Sequence, residues 1–162
     1  VLPENYLNAL LPVLLIEGAS LNEMLEFRSM IEVESARLAS RRATPEDLDR
    51  MSEVLAVMKK SRGNIPTFAD ADLSFHVAIA MATHNSVIIK VNAIIHDMLK
   101  KIMEEIVGIT GYEDGLFYHE RILEAIKARD GKTAAELMRE HIAMTINKVN
   151  RLKTGVEDSH QP

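Results

Sequence analysis

The sequence contains no cysteine. That absence excludes a disulfide framework, thiolate metal sites and a cysteine nucleophile, and it fits a reducing cytoplasm. No apolar run is long enough to span a bilayer. Leu10 to Ile16 is apolar but short, Pro12 interrupts it, and no basic segment precedes it, so it does not read as a signal peptide. Positive charge is scarce: the formal net charge is −5. Basic residues fall in scattered pairs, Arg41 with Arg42, Lys59 with Lys60 and Lys100 with Lys101, and none sits in a recognition motif. A free-standing DNA-binding domain would carry a basic face, so this chain alone is not expected to bind DNA well. Several catalytic signatures are also missing. There is no glycine-rich phosphate loop and no serine in a nucleophile elbow. The Glu-x-x-His pair of a di-iron carboxylate bundle does not occur. His119–Glu120 begins like a zinc-protease helix, but Leu123 stands where the second histidine belongs.

What is present is a chain of 162 residues, 47% apolar and 27% charged. That is the length and composition of one globular domain with a core of its own. It begins at Val1 rather than Met, as expected of a fragment of a longer protein. Aromatics are few and no segment alternates with period two, so the chain reads as nearly all helix. Residues 1–19 are expected to form a linker or a short helix over 3–16. The first strong helix is predicted over 21–41, with Ser20 as cap and Glu23 completing a capping box. A second is predicted over 45–60, with Thr44 as cap and Pro45 at its first position. Gly63, Asn64 and Pro66 read as a break. Further helices are predicted over 67–83, 86–107, 113–129 and 132–152, followed by a frayed polar tail over 153–162. The fourth places Val87, Val91, Ile94, Ile95, Met98, Leu99 and Ile102 inward. Short connections between amphipathic helices predict an all-α antiparallel bundle of six or seven helices, with the main domain spanning 20–152.

The polar residues that interrupt the apolar faces carry the functional signal. Asp72 and His76, one helical turn apart, share a face with Phe68, Phe75 and Ile79. His119 falls among Leu116, Ile122, Leu123 and Ile126, and His141 falls between Leu137 and Met144. Arg28 sits in the stripe of Leu25 and Ile31. One carboxylate and three neutral imidazoles suit Zn²⁺, Ni²⁺ or Mn²⁺. Buried singly and unsatisfied, each would cost about 1–3 kcal/mol, and one shared ion would satisfy all four. Each histidine alone also reads as a hydrogen-bonded core residue, and spacing leaves both readings open. His84, His96 and His160 read as structural or exposed.

The same residues carry a family resemblance. Glu26-Phe27-Arg28 with Ile31-Glu32 and Ala36-Arg37-Leu38-Ala39 resembles the first helix of the FadR-type C-terminal ligand-binding domain of GntR-superfamily transcription regulators. Ala43 to Leu48 resembles the start of its second helix. Asp72-Leu73-Ser74-Phe75-His76, with the later His84-Asn85, is similar to the metal-binding helix. His119 through Ile122, Ala125-Ile126, Asp130-Gly131, Ala135, Met138 and His141 resemble the two closing helices. The match covers about residues 20–150, and its order and spacing are more specific than any single motif.

The resemblance implies a metal held by Asp72, His76, His119 and His141, with zinc expected ahead of nickel or manganese. It implies a small carboxylate effector such as lactate, pyruvate or glycolate at or beside the metal. It also implies a homodimer and an attached N-terminal winged helix-turn-helix, absent from this chain, through which DNA would be bound. Arg28 could fork onto the effector carboxylate, or pair with Glu32, its neighbour four residues on. Asn92 and Asn147 are further candidate effector contacts. No catalytic residue is expected. The competing readings are a metal-dependent hydrolase, for which no inward carboxylate besides Asp72 is free, and a structural bundle stapled by a metal.

Overall fold

The computed structural model describes residues 20–100 and 102–154, and they form seven helices with no strand. The helix and linker readings for 1–19, the tail over 155–162 and His160 lie outside the described residues. The helices are α1 (Leu21–Arg42), α2 (Pro45–Lys60), α3 (Ile65–Met81), α4 (Ser86–Leu99), α5 (Met103–Thr110), α6 (Glu113–Lys127) and α7 (Gly131–Thr154). The all-α bundle expected from the sequence is the observed architecture.

Local chemistry explains where most helices begin. Ser20 Oγ accepts from the Glu23 amide while the Glu23 carboxylate accepts from the Ser20 amide, so the expected capping box opens α1. Thr44 and Asp47 form a second box ahead of Pro45 at α2. Each box satisfies two otherwise orphaned groups, and losing such a cap costs about 1 kcal/mol. Asn64 and Pro66 start α3 rather than break the chain: the Asn64 side chain accepts from Thr67 N, and Pro66 sits in the first turn, where no amide proton is needed. Asn85 caps α4 in the same way, through Val87 N and Ile88 N.

Arginines close two helix ends. The Arg129 guanidinium donates to the carbonyls of Ser40 and Ala43 at the end of α1. Arg42 donates to Thr83 O, just past α3. Both put a cation on carbonyls at the negative end of a helix dipole.

The single long helix predicted over 86–107 is two helices. One helix ends at Leu99 and the next begins at Met103, and α5 packs across α3 and α7. Neither glycine nor proline marks the division; burial of Met103, Ile106 and Val107 on the bundle fixes it. The buried face of α4 is also rotated from the expected stripe: Asn92, Ile95 and Leu99 are buried and Val87 is exposed.

The core is built chiefly by α1 lying along α7, α2 along α3, and α6 along α7. Phe68, Phe75, Met58, Ile122, Ile126 and Met138 are among its fully buried side chains. Burial of each stabilises the fold by about 1.5–3 kcal/mol. Among the described residues no helix is long and apolar enough to cross a membrane.

Candidate metal and anion site

Three helices aim four candidate metal-ligating side chains into this core. Asp72 and His76 come from α3, His119 from α6 and His141 from α7, and all four are buried. One ligand atom from each lies within 4.8 Å of all the others. His119 Nε2 is 3.1 Å from His76 Nε2 and 3.2 Å from His141 Nε2. Asp72 closes the group, with Oδ1 3.7 Å from His119 Nε2 and Oδ2 3.9 Å from His76 Nε2.

Ring packing and outer contacts hold these geometries. His119 stacks on Phe75 with centroids 4.5 Å apart, and its Nδ1 lies 3.2 Å from the Met58 sulfur. His76 Nδ1 is 2.7 Å from Glu32 Oε2, a charge contact whose angle falls short of a well-formed hydrogen bond. A neutral imidazole carrying its proton on Nδ1 presents a lone pair at Nε2. With Nδ1 of His76 facing a carboxylate and Nδ1 of His119 facing a thioether, the tautomers protonated at Nδ1 would turn two Nε2 lone pairs toward each other across 3.1 Å.

That arrangement fits a cation. At a metal–nitrogen distance of about 2.0–2.1 Å, neighbouring ligand atoms sit about 3.4 Å apart in a tetrahedron and about 2.9 Å apart in an octahedron. The two imidazole separations fall between these values. Asp72 Oδ2 is buried without a hydrogen-bond partner, as a carboxylate awaiting a cation would be. Burial lowers the pKa of both His119 and His141 well below 6.5, and the fixed positive charge of Arg28 works in the same direction. Both are therefore neutral near pH 7, the form that ligates metal. Burial pushes the Asp72 carboxyl up, against the pull of His76 and Arg28.

Beside the cluster lies a narrow cavity lined by Arg28, Phe68, Asp72, Gly115, His141 and Thr145, and roofed by Met103, Ile106, Val107 and Thr110 of α5. Its free volume is about 10 Å³, roughly the space of one water. Of the two sequence readings of Arg28, the structure shows the pairing with Glu32. Its Nε donates to Glu32 Oε1 at 2.9 Å, while its Nη2 is buried with no protein partner. Burial raises the pKa of Glu32, but Arg28 and His76 outweigh it and bring the value down to about 2. Glu32 is thus a second inward carboxylate, with Oε1 hydrogen-bonded to Arg28 and Oε2 at ion-pair distance from His76.

The other expected residues fall elsewhere. Asn92 is buried with Nδ2 unpartnered, but it does not line the cavity. Asn147 is exposed on α7, and the structure does not bring it to the cluster. His84 pairs with Asp47 at 2.7 Å on the surface, and His96 is partly exposed beside Asp97. Sequence reasoning missed Gly115, Thr110 and Thr145. Thr145 was findable, because it stands one turn beyond His141 on the same face.

The chain matches the sequence profile of the FCD domain over residues 23–144. It is similar to the HTH-type transcriptional regulator LutR of Bacillus subtilis (strain 168), at 28% identity over 135 residues, covering 80% of this chain and 62% of LutR. It is similar to the galactonate operon transcriptional repressor of Escherichia coli (strain K12), at 26% identity over 135 residues, covering 82% of this chain and 58% of the repressor. The chain thus spans less than two thirds of the length of these curated relatives. Both are named as regulators of transcription, neither as an enzyme. The solved structure of Streptococcus agalactiae GntR shares the fold, with a TM-score of 0.67 and 20% identity, covering 78% of this chain and 57% of that one.

Proposed function

Because the chain belongs to the FCD domain family, we propose that it is the effector-sensing domain of a bacterial transcription regulator. In this reading residues 20–152 bind a divalent metal, zinc ahead of nickel or manganese, together with a small carboxylate. Residues 1–19 lead to an N-terminal winged helix-turn-helix, and the regulator acts as a cytoplasmic homodimer whose two-fold symmetry matches that of an operator. One observation carries the reading. Three imidazole Nε2 atoms and a carboxylate converge in a buried site beside a guanidinium nitrogen left without a partner.

The bound ion would supply positive charge and free coordination positions for an anion's oxygen. Arg28 Nη2 would take the second oxygen of the same carboxylate in a charge-assisted hydrogen bond. The rest of the lining favours a short acid. Phe68, Met103, Ile106, Val107 and Met144 are apolar, and among the described residues Thr110 and Thr145 are the only hydroxyls in the wall. A many-hydroxylated sugar acid would bury several hydroxyls unpaired there, each costing roughly 1–3 kcal/mol. Lactate, pyruvate and glycolate carry one polar group besides the carboxylate. Regulation follows if the acid binds one arrangement of the bundle better than another.

The test is the melting temperature of the metal-loaded domain against lactate, pyruvate, glycolate, citrate and sugar acids, with His119→Ala and His141→Ala alongside. A ligand at one hundred times its Kd stabilises by about 2.7 kcal/mol. The expected result is a clear rise with a short acid, lost on chelation and in both variants. Indifference to every acid and to chelator would overturn the reading.

A further inference from the structure

Glu32 is buried on α1 and uses both carboxylate oxygens. Oε1 accepts from Arg28 Nε at 2.9 Å, and Oε2 lies 2.7 Å from His76 Nδ1. The two groups it touches have different tasks: Arg28 faces the cavity, and His76 belongs to the metal cluster. The common view of an Arg and a Glu four residues apart is an ion pair that neutralises the arginine. That view leaves Oε2 without a purpose, and His76 Nδ1 has no other partner among the described residues.

We propose that Glu32 is a positioning residue for the metal centre, and not only the counter-ion of Arg28. Its Oε2 keeps the proton of His76 on Nδ1 and turns the Nε2 lone pair toward His119, His141 and Asp72. An imidazole ligand whose far nitrogen faces a carboxylate is fixed in tautomer and orientation and made more basic. Among the described residues no other carboxylate lies at ion-pair distance from Nδ1 of a cluster histidine: His119 Nδ1 faces the Met58 sulfur, and His141 Nδ1 is unpartnered. The same carboxylate therefore joins the anion-facing guanidinium to the metal-facing imidazole.

This inference rests on the metal reading above, and the experiment separates the two. Removing Glu32 alone would strand the buried Arg28 charge and could unfold the domain. The comparison is therefore Arg28→Met against the double variant Arg28→Met/Glu32→Leu, each checked for helix content by circular dichroism, with the wild type alongside. Zn²⁺ affinity is measured by chelator competition, the visible absorption of the Co²⁺-loaded domains is recorded, and imidazole nitrogen shifts are read by NMR on metal-free protein. Arg28→Met leaves Glu32 with His76 as its remaining ionic neighbour, and we expect it to bind Zn²⁺ more tightly than the double variant and to keep His76 protonated at Nδ1. The double variant should bind Zn²⁺ about 10–100-fold more weakly, shift the Co²⁺ band and lose the Nδ1-protonated form. Equal affinity, band and tautomer in the two variants would overturn the proposal and leave Glu32 a counter-ion. A wild type that takes up neither ion would sink the metal reading instead, and the tautomer comparison would then decide the role of Glu32 on its own.

Discussion

Lys148 of α7 donates to the carboxylate of Asp114 on α6, and the same ammonium donates to the carbonyl of Thr110 at the end of α5. One side chain thereby ties down both sides of the turn through Gly111, beneath the helix that roofs the cavity. Both partners are more than a third exposed, so the pair contributes at most about 1 kcal/mol to stability. Lys148→Met should leave the melting temperature within a few degrees of wild type. Amide exchange over residues 103–112 should become faster, while the centre of α3 stays protected. Unchanged exchange in that segment would show that apolar packing alone holds the roof.

Gly115 offers a way to separate the two halves of the site. A Cβ built there would lie 3.5 Å from Asp72 Oδ1 and 3.7 Å from the Phe68 ring, ordinary contact distances, yet it would occupy the cavity. Gly115→Ala should therefore fold well, with a helix-propensity gain of roughly 0.5–1 kcal/mol. It should bind Zn²⁺ as wild type does and bind a short acid at least about 10-fold more weakly, the result of roughly 1.4 kcal/mol of lost fit. Calorimetric titration of metal and acid in turn checks this; equal loss of both would mean that the cluster and the cavity are one site.

Acid should destabilise the metal-free domain in two stages. His119 and His141 have folded pKa values well below 6.5, first through burial and then through positively charged neighbours. As the pH falls below 6.5 the unfolded chain takes up their protons and the folded one does not. The stability they give above that pH is thus lost as the pH drops toward the folded values. Glu32, lowered from 4.5 to about 2, removes more across that lower window. Asp72, raised from 3.8, works in the opposite sense and offsets part of the lower stage. Scanning calorimetry should show the melting temperature falling from about pH 7.5 to about pH 5.5, with a shallower slope in His119→Phe. A flat profile over that interval would contradict the neutral assignment of the two histidines.

The start of α7 needs a residue without a side chain. A Cβ on Gly131 would stand 2.7 Å from Ser40 Oγ and 3.1 Å from the backbone oxygen of Arg37. The serine can rotate, but the carbonyl belongs to α1 and cannot. Gly131→Ala should cost about 1–3 kcal/mol, as overpacking does, measured by urea unfolding. A loss under about 0.5 kcal/mol would mean that α1 and α7 shift apart freely.

Two helix starts were legible because capping is local: Ser20 with Glu23, and Thr44 with Pro45, are read from four or five residues. Asp72 and His76 were legible for the same reason, being one turn apart on an apolar face. Pro66 misled because a proline breaks a helix interior but suits its first turn, and only the Asn64 cap tells which applies. The division between α4 and α5 left no mark, since the packing of α5 over α3 and α7 decides it and not its own sequence. Asn147 was a failure of periodicity: six residues past His141 is about 240° around the helix, away from the cluster, where Thr145 and Lys148 are not. Glu32 was readable as the partner of Arg28. Its contact with His76 joins residues 44 positions apart and belongs to the tertiary structure alone.

The cavity's size has a consequence for the dose at which such a sensor would answer. On the function proposed above, a space that admits about one water would have to widen, for example by movement of α5, before even the smallest of the acids could enter. The acid then meets a minority of open molecules, and its apparent Kd is the intrinsic value divided by the open fraction. A protein with one molecule in a hundred open would answer at about a hundredfold higher concentration than its contacts alone would set. On that reading the set point could be adjusted by residues that never touch the acid, such as those of α5 or the turn at Gly111, while Arg28 and the cluster stay unaltered.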